Sequence, residues 1–177
     1  MRNKLLYLAC LVFLMACEKK NDLFPNSNQL ILFQAEYVNY AWGYNHNGFL
    51  LDSSGNVRPY KLPKNWHFPD SEGNISQADM NENIMKLDSV SFTIKKDLLL
   101  KYFNMLKGAS EGKLSKPVNT MFDFGELTYS GFLYDSETGK YKQVLIRKEG
   151  DWTTENNSPE ANDIYLWMKN IYYSKNN

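Results

Sequence analysis

The residues whose chemistry could go beyond packing are few. This chain of 177 residues holds two histidines, two cysteines and a scatter of acids beside glycines. A catalytic or zinc-binding histidine normally has partners at helical or hairpin spacing. His46 and His67 lie 21 positions apart, and Cys10 and Cys17 both fall in the first 17 residues. That spacing favours structural or surface histidines, with His67 and Asp70 sharing one loop. Asp70 to Asp79 can be set against a calcium loop, with Gly73 at its sixth position. The first ligand position then falls on Phe68, which cannot coordinate, and the twelfth on the short Asp79. A turn leading into a capped helix explains the stretch better. Asp123 and Glu126 flank Gly125, as turn acids do; paired carboxylates also serve glycoside hydrolysis, but their separation is set only in three dimensions. There is no nucleophile elbow and no phosphate-cradling glycine loop. The sequence calls for no metal and no cofactor.

Aromatic side chains are the stronger signal. After Tyr7 and Phe13 are set aside, 24 of the 26 remain. Tyr40, Trp42, Tyr44, Asn45, His46, Asn47 and Trp66 gather stacking rings with amide and imidazole groups. Exposed, such residues suit a sugar or a partner protein, because they give rigid contact area with polar tips. Buried, they are core. Trp42, Tyr44, His46 and Trp66 are therefore the candidate ligand-binding residues, and the choice between site and core turns on exposure.

The N-terminus suggests where the domain lives. Arg2 and Lys4 precede a charge-free apolar run from Leu5 to Ala16. Twelve residues are too few to span a bilayer, which takes about 20, but suit the apolar region of a signal peptide. No later segment approaches spanning length. The run ends in Leu14, Met15, Ala16 and Cys17, which resembles the bacterial lipobox. The resemblance implies export, cleavage before Cys17 and acylation of that cysteine; two or more acyl chains give stable anchoring. A secreted protein cleaved elsewhere is the competing reading. Glu18, Lys19, Lys20, Asn21 and Asp22 look like the charged surface-export signals of Bacteroidota lipoproteins, and equally like a solvated tether. Residues 1–16 are thus read as signal peptide, 17–28 as lipidated cysteine and tether, and 29–177 as one domain. Lipidation of Cys17 would leave no free thiol for catalysis. Losing Arg2 and Lys4 lowers the basic count from 20 to 18, against 20 acids. A near-neutral chain is a poor nucleic-acid binder, which needs clustered positive charge.

The elements that would position these residues can be read coarsely. Alternation and aromatic content favour a strand over a helix across 30–44. Phe49–Asp52 and Val57–Lys61 flank Ser53, Ser54, Gly55 and Asn56, which reads as a hairpin, with Pro59 at an edge. Residues 62–75 read as loop, 76–87 as a helix capped by Ser76 and Asp79, and Phe92 to Ile94 as a brief strand. Lys96 to Lys107 puts Leu98, Leu99, Tyr102, Met105 and Leu106 on one helical face, ended by Gly108. A second hairpin joins Leu127–Tyr134 to Tyr141–Arg147. Gly150–Asn157 reads as loop. Ser158 and Pro159 then start a helix with Ala161, Ile164, Tyr165, Met168 and Ile171 on its buried stripe. The expected fold is α+β: an antiparallel sheet built from two hairpins, with about three helices packed on one face.

Tyr40-Ala41-Trp42-Gly43-Tyr44, the hairpin from Gly48 to Tyr60, and Gly150-Asp151-Trp152 followed by Ala161 to Ile171 resemble small lipoproteins of Bacteroidota. No activity attaches to that group, so the resemblance implies location and fold. The reading is a non-catalytic binding or accessory module, anchored to the outer membrane through Cys17, with an envelope protein or glycan as partner. Its alternatives are a small cell-envelope hydrolase using carboxylates or His46, and a purely structural envelope protein.

Overall fold

A computed structural model describes residues 25–174, so residues 1–16, expected to be a signal peptide, and Cys17 lie outside the described residues. The fold is α+β, with nine antiparallel strands and three helices. The strands are β1 (Ile31–Asn39), β2 (Asn45–Asp52), β3 (Asn56–Lys61), β4 (Asn74–Ser76), β5 (Phe92–Thr93), β6 (Val118–Asn119), β7 (Glu126–Asp135), β8 (Lys140–Gly150) and β9 (Trp152–Glu155). The helices are α1 (Gln77–Ile84), α2 (Lys96–Ser110) and α3 (Pro159–Ser174). The sheet runs β5-β3-β2-β1-β7-β8-β9-β6, and β4 pairs with the start of β8.

Strand periodicity sorts the side chains into two faces. Phe33, Ala35, Phe49, Leu51, Tyr129 and Ile146 point towards α2 and α3 and meet Leu99, Phe103, Leu106, Ile164, Trp167 and Met168. Their alternates, Leu50, Tyr60, Phe132 and Tyr141, form a smaller core on the other face with Ile75 and with Met80 of α1. Two helices thus cover one face and the short α1 crosses the other. Beyond α1 the second face turns polar: Gln34 and Glu36 on β1, Thr128 and Ser130 on β7, and His46 on β2.

Capping follows the sequence. Ser76 accepts the Asp79 N–H at 3.1 Å, and Ser158 accepts that of Ala161 at 3.1 Å. All five stripe residues expected on α3 are buried. Several local expectations are overturned. Residues 30–44 are not one strand: β1 ends at Asn39, and Tyr40–Tyr44 is the turn into β2, with Gly43 at φ +97°. Gly108 does not end α2, which runs on to Ser110; a Cβ there would meet the Glu160 side chain of α3 at 2.8 Å, so the glycine permits close helix packing. Phe103 is buried on α2, and Leu98 is exposed. The segment read as loop at 62–75 contains the start of β4, that at 150–157 contains the whole of β9, and α1 stops at Ile84, three residues before Leu87.

Candidate functional site

The site begins with a charge in the wrong kind of strand. Glu36 is the sole charged residue of β1 and is only 8% exposed. Burying a carboxylate is costly unless donors meet it. Three do, all at Oε1: His46 Nε2 at 2.8 Å, Gln34 Nε2 at 3.1 Å and the Tyr60 hydroxyl at 3.4 Å. A carboxylate only accepts, so the His46 proton on this side sits on Nε2. Nδ1, 3.1 Å from the Tyr44 hydroxyl, then accepts from it, and the imidazole satisfies both neighbours without a second proton. Burial, then Tyr40 and Glu36, raises the Tyr44 pKa, which keeps that phenol protonated as a donor. Burial, with Glu36 beside it, pushes Tyr60 well above the usual phenol range. Tyr60 reaches this network across Gly48, where a Cβ would lie 2.7 Å from the Tyr60 hydroxyl and would collide with the Ala35 carbonyl.

His46 has 0% exposure. Its ring stacks on Phe68 at 5.3 Å and meets Trp66 and Tyr60 edge-on at 5.5 and 5.3 Å. Phe68 and Trp66 arrive on the loop that follows β3, which starts from a left-handed Leu62 at φ 48°. That loop is fastened to α1. Asn83 accepts the His67 N–H at 2.9 Å and donates to its carbonyl at 2.7 Å. The His67 ring bonds Glu82 at 2.7 Å and lies 3.3 Å from Asp79, so its partners are on α1, and Asp70 is not one of them. Asp70 instead accepts the backbone N–H groups of Glu72 and Asn74 in a turn, which holds its carboxyl below the usual range.

Above this support opens a cleft of about 430 Å³. Its floor is Glu36 and Val38 of β1 beside Thr128 and Glu126 of β7, paired in register. Its walls are Asn39, Tyr40 and Ala41 of the first turn, Phe68, and Gly125 with Asp151 and Trp152. Tyr40 is 71% exposed and Trp152 54%. Gly125, at φ +83°, lets the chain pass against Val38 and Asn39, where a Cβ would lie 2.8 Å from the Asn39 Cβ. Among the described residues, no lysine, arginine or histidine lines the cleft. Lys148 reaches Glu126 from outside it at 2.9 Å.

The structure divides the sequence candidates. His46 is buried, and Trp66 is half-buried, stacked on Tyr60 at 4.3 Å. Tyr44 and Trp66 line a more open hollow of about 570 Å³ across Phe68 from the cleft. Trp42 projects at the turn tip, 83% exposed. Asp123 takes a left-handed turn conformation and its carbonyl accepts from Asn39, whereas Glu126 belongs to the cleft floor. Sequence reading missed Glu36 and Phe68. A lone acid inside an apolar strand was the available signal for the first; nothing local marks the second.

With this geometry in hand, comparison with known proteins finds no matching family model, curated protein or solved structure. Among the described residues, no helix is long and apolar enough to cross a membrane.

Proposed function

We propose that this chain is a lipid-anchored, non-catalytic binding module of the bacterial cell envelope, held to the outer membrane through Cys17. The observation that carries the binding half is the cleft, with carboxylates in its floor and Tyr40, Phe68 and Trp152 in its walls. Its volume falls in the range of small-ligand sites, about 300–1,000 Å³. The lipobox carries the anchoring half. His46 supports the site without entering its chemistry, because both ring nitrogens are bonded and the ring is covered.

Two experiments test the halves separately. Cys17→Ser should abolish labelling by radioactive palmitate, and persistent labelling would sink the anchor. The binding half is tested by crosslinked purification from native membranes and by glycan arrays, comparing wild type with Trp152→Ala. Enrichment of one partner or glycan that the variant loses, at unchanged melting temperature, supports the cleft; identical profiles refute it.

A second reading, a cell-envelope hydrolase, has one observation in its favour. Glu36 and Glu126 are diagonal neighbours across paired strands and both line the cleft, and glycoside hydrolysis uses a pair of carboxyl groups. Turnover of chromogenic glycosides that Glu36→Gln abolishes would favour it.

A further inference from the structure

We propose that the ligand of this cleft carries a primary ammonium group, with Glu36 Oε2 as its acceptor and the rings of Tyr40, Phe68 and Trp152 around it. The proposal rests on the cleft being the binding site and names what it selects. All three protein hydrogen bonds to Glu36 fall on Oε1, and Oε2 has no partner among the described residues. Glu36 is more than nine-tenths buried, and its remaining surface lines the cleft. Oε2 is therefore open to the cleft rather than sealed, and a ligand N–H or O–H replaces water there at little cost.

Charge decides between those donors. Glu36, Glu126 and Asp151 line the cleft and, among the described residues, no cationic side chain does. Lys148 compensates Glu126, while Asp151 Oδ1 takes, among the described residues, only the Phe124 N–H, at 2.8 Å. The field therefore repels phosphate, sulfate and carboxylate groups and draws in a cation. Aromatic faces reinforce this, since ring quadrupoles attract ammonium groups. A quaternary ammonium would satisfy the rings but has no N–H for Oε2, so the primary amine is the better match. That chemistry comes from an amino sugar or from a lysine side chain, and the volume admits either.

The test is calorimetric titration of the full chain in detergent at neutral pH. The probes are D-glucosamine, N-acetyl-D-glucosamine and Nα-acetyl-lysine methylamide. At least one free amine should bind, and acetylation of the sugar amine should weaken binding by about tenfold or more. Raising salt should weaken it further. Glu36→Gln keeps an acceptor for His46 and Gln34 but removes the charge, and should cost a similar factor. Should that variant misfold, Trp152→Ala, on an exposed side chain, supplies the second readout by losing amine binding. Binding of glucosamine alone assigns the source to glycans, and binding of the lysine derivative alone assigns it to peptides. Equal affinity for glucosamine and its N-acetyl form, unaffected by Glu36→Gln, overturns ammonium recognition while leaving the cleft as a binding site. No binding by either amine also overturns it, and the array comparison then decides the cleft independently.

Discussion

His46 shows how a residue type suggests one role and its surroundings assign another. A hydroxyl, an imidazole and a carboxylate lie in hydrogen-bonded sequence from Tyr44 to Glu36, the order found in nucleophilic triads. Tyr44 is a phenol whose pKa lies above its usual value, and the ring of His46 is sealed beneath Phe68, so the row works as a brace for Glu36. Replacing His46 by Phe keeps the ring and removes the strongest donor to a buried carboxylate. Gln34 and Tyr60 remain as donors, so the loss is that of one hydrogen bond to a charged group, about 1.5–3 kcal/mol. Urea unfolding should show a loss of about that size, and a variant as stable as wild type would refute the brace. Trp42→Ala, at the solvent-facing turn tip, should stay within about 0.5 kcal/mol.

At the scale of elements, the cleft wall depends on a loop with little regular structure of its own. Asn83 of α1 is buried and makes a two-bond clasp on the His67 backbone, which places Trp66 and Phe68 over His46. Asn83→Ala should cost about 1–3 kcal/mol and raise amide exchange at His67, while α2 and α3 remain protected. Unchanged exchange at His67 would mean that the loop holds its place without α1. This dependence explains what was legible in the sequence. Hairpins with Gly-Asn or Gly-Lys turns and helices with serine caps carry their signals within a few residues, and β2–β3, β7–β8, α1 and α3 were read close to place. The three-residue β4 exists because β8 pairs with it from a distance, and the four-residue β9 is held between the adjoining β8 and the distant β6. Gly108 looked like a helix stop because its real constraint, Glu160, lies 52 positions on in the chain. The aromatic cluster was legible as a cluster. Which of its rings are covered was not, since Phe68 and α1 do the covering.

At the scale of the molecule, the two faces of the sheet divide the work. One face is a dry core under α2 and α3; the other is covered by α1 at one end and left open at the cleft. Both faces are built with tyrosines, and this gives the fold a pH limit. Burial raises the pKa of Tyr141 on the α1 face, of Tyr129 beneath α3 and of Tyr172 on α3 itself, with Tyr172 pushed up to about 12 from 10.0; burial, with Glu36 beside it, also pushes Tyr60 well above the usual phenol range. Each phenol fits the fold as the neutral acid. Below about pH 10 both folded and unfolded chains keep these protons, and the stabilisation is complete. Between pH 10 and 12 the unfolded chain releases protons that the folded one still holds, so stability falls as pH rises. Lys169, raised mainly by its bond to the Tyr165 hydroxyl, loses its charge over the same direction of change and adds to the loss. The melting temperature should therefore drop steeply above about pH 10. Part of the tyrosinate absorbance should appear only together with the loss of the sheet signal in circular dichroism. Complete tyrosine titration with that signal intact would show that water reaches these phenols in the folded protein, and the division into a dry face and an open one would not hold.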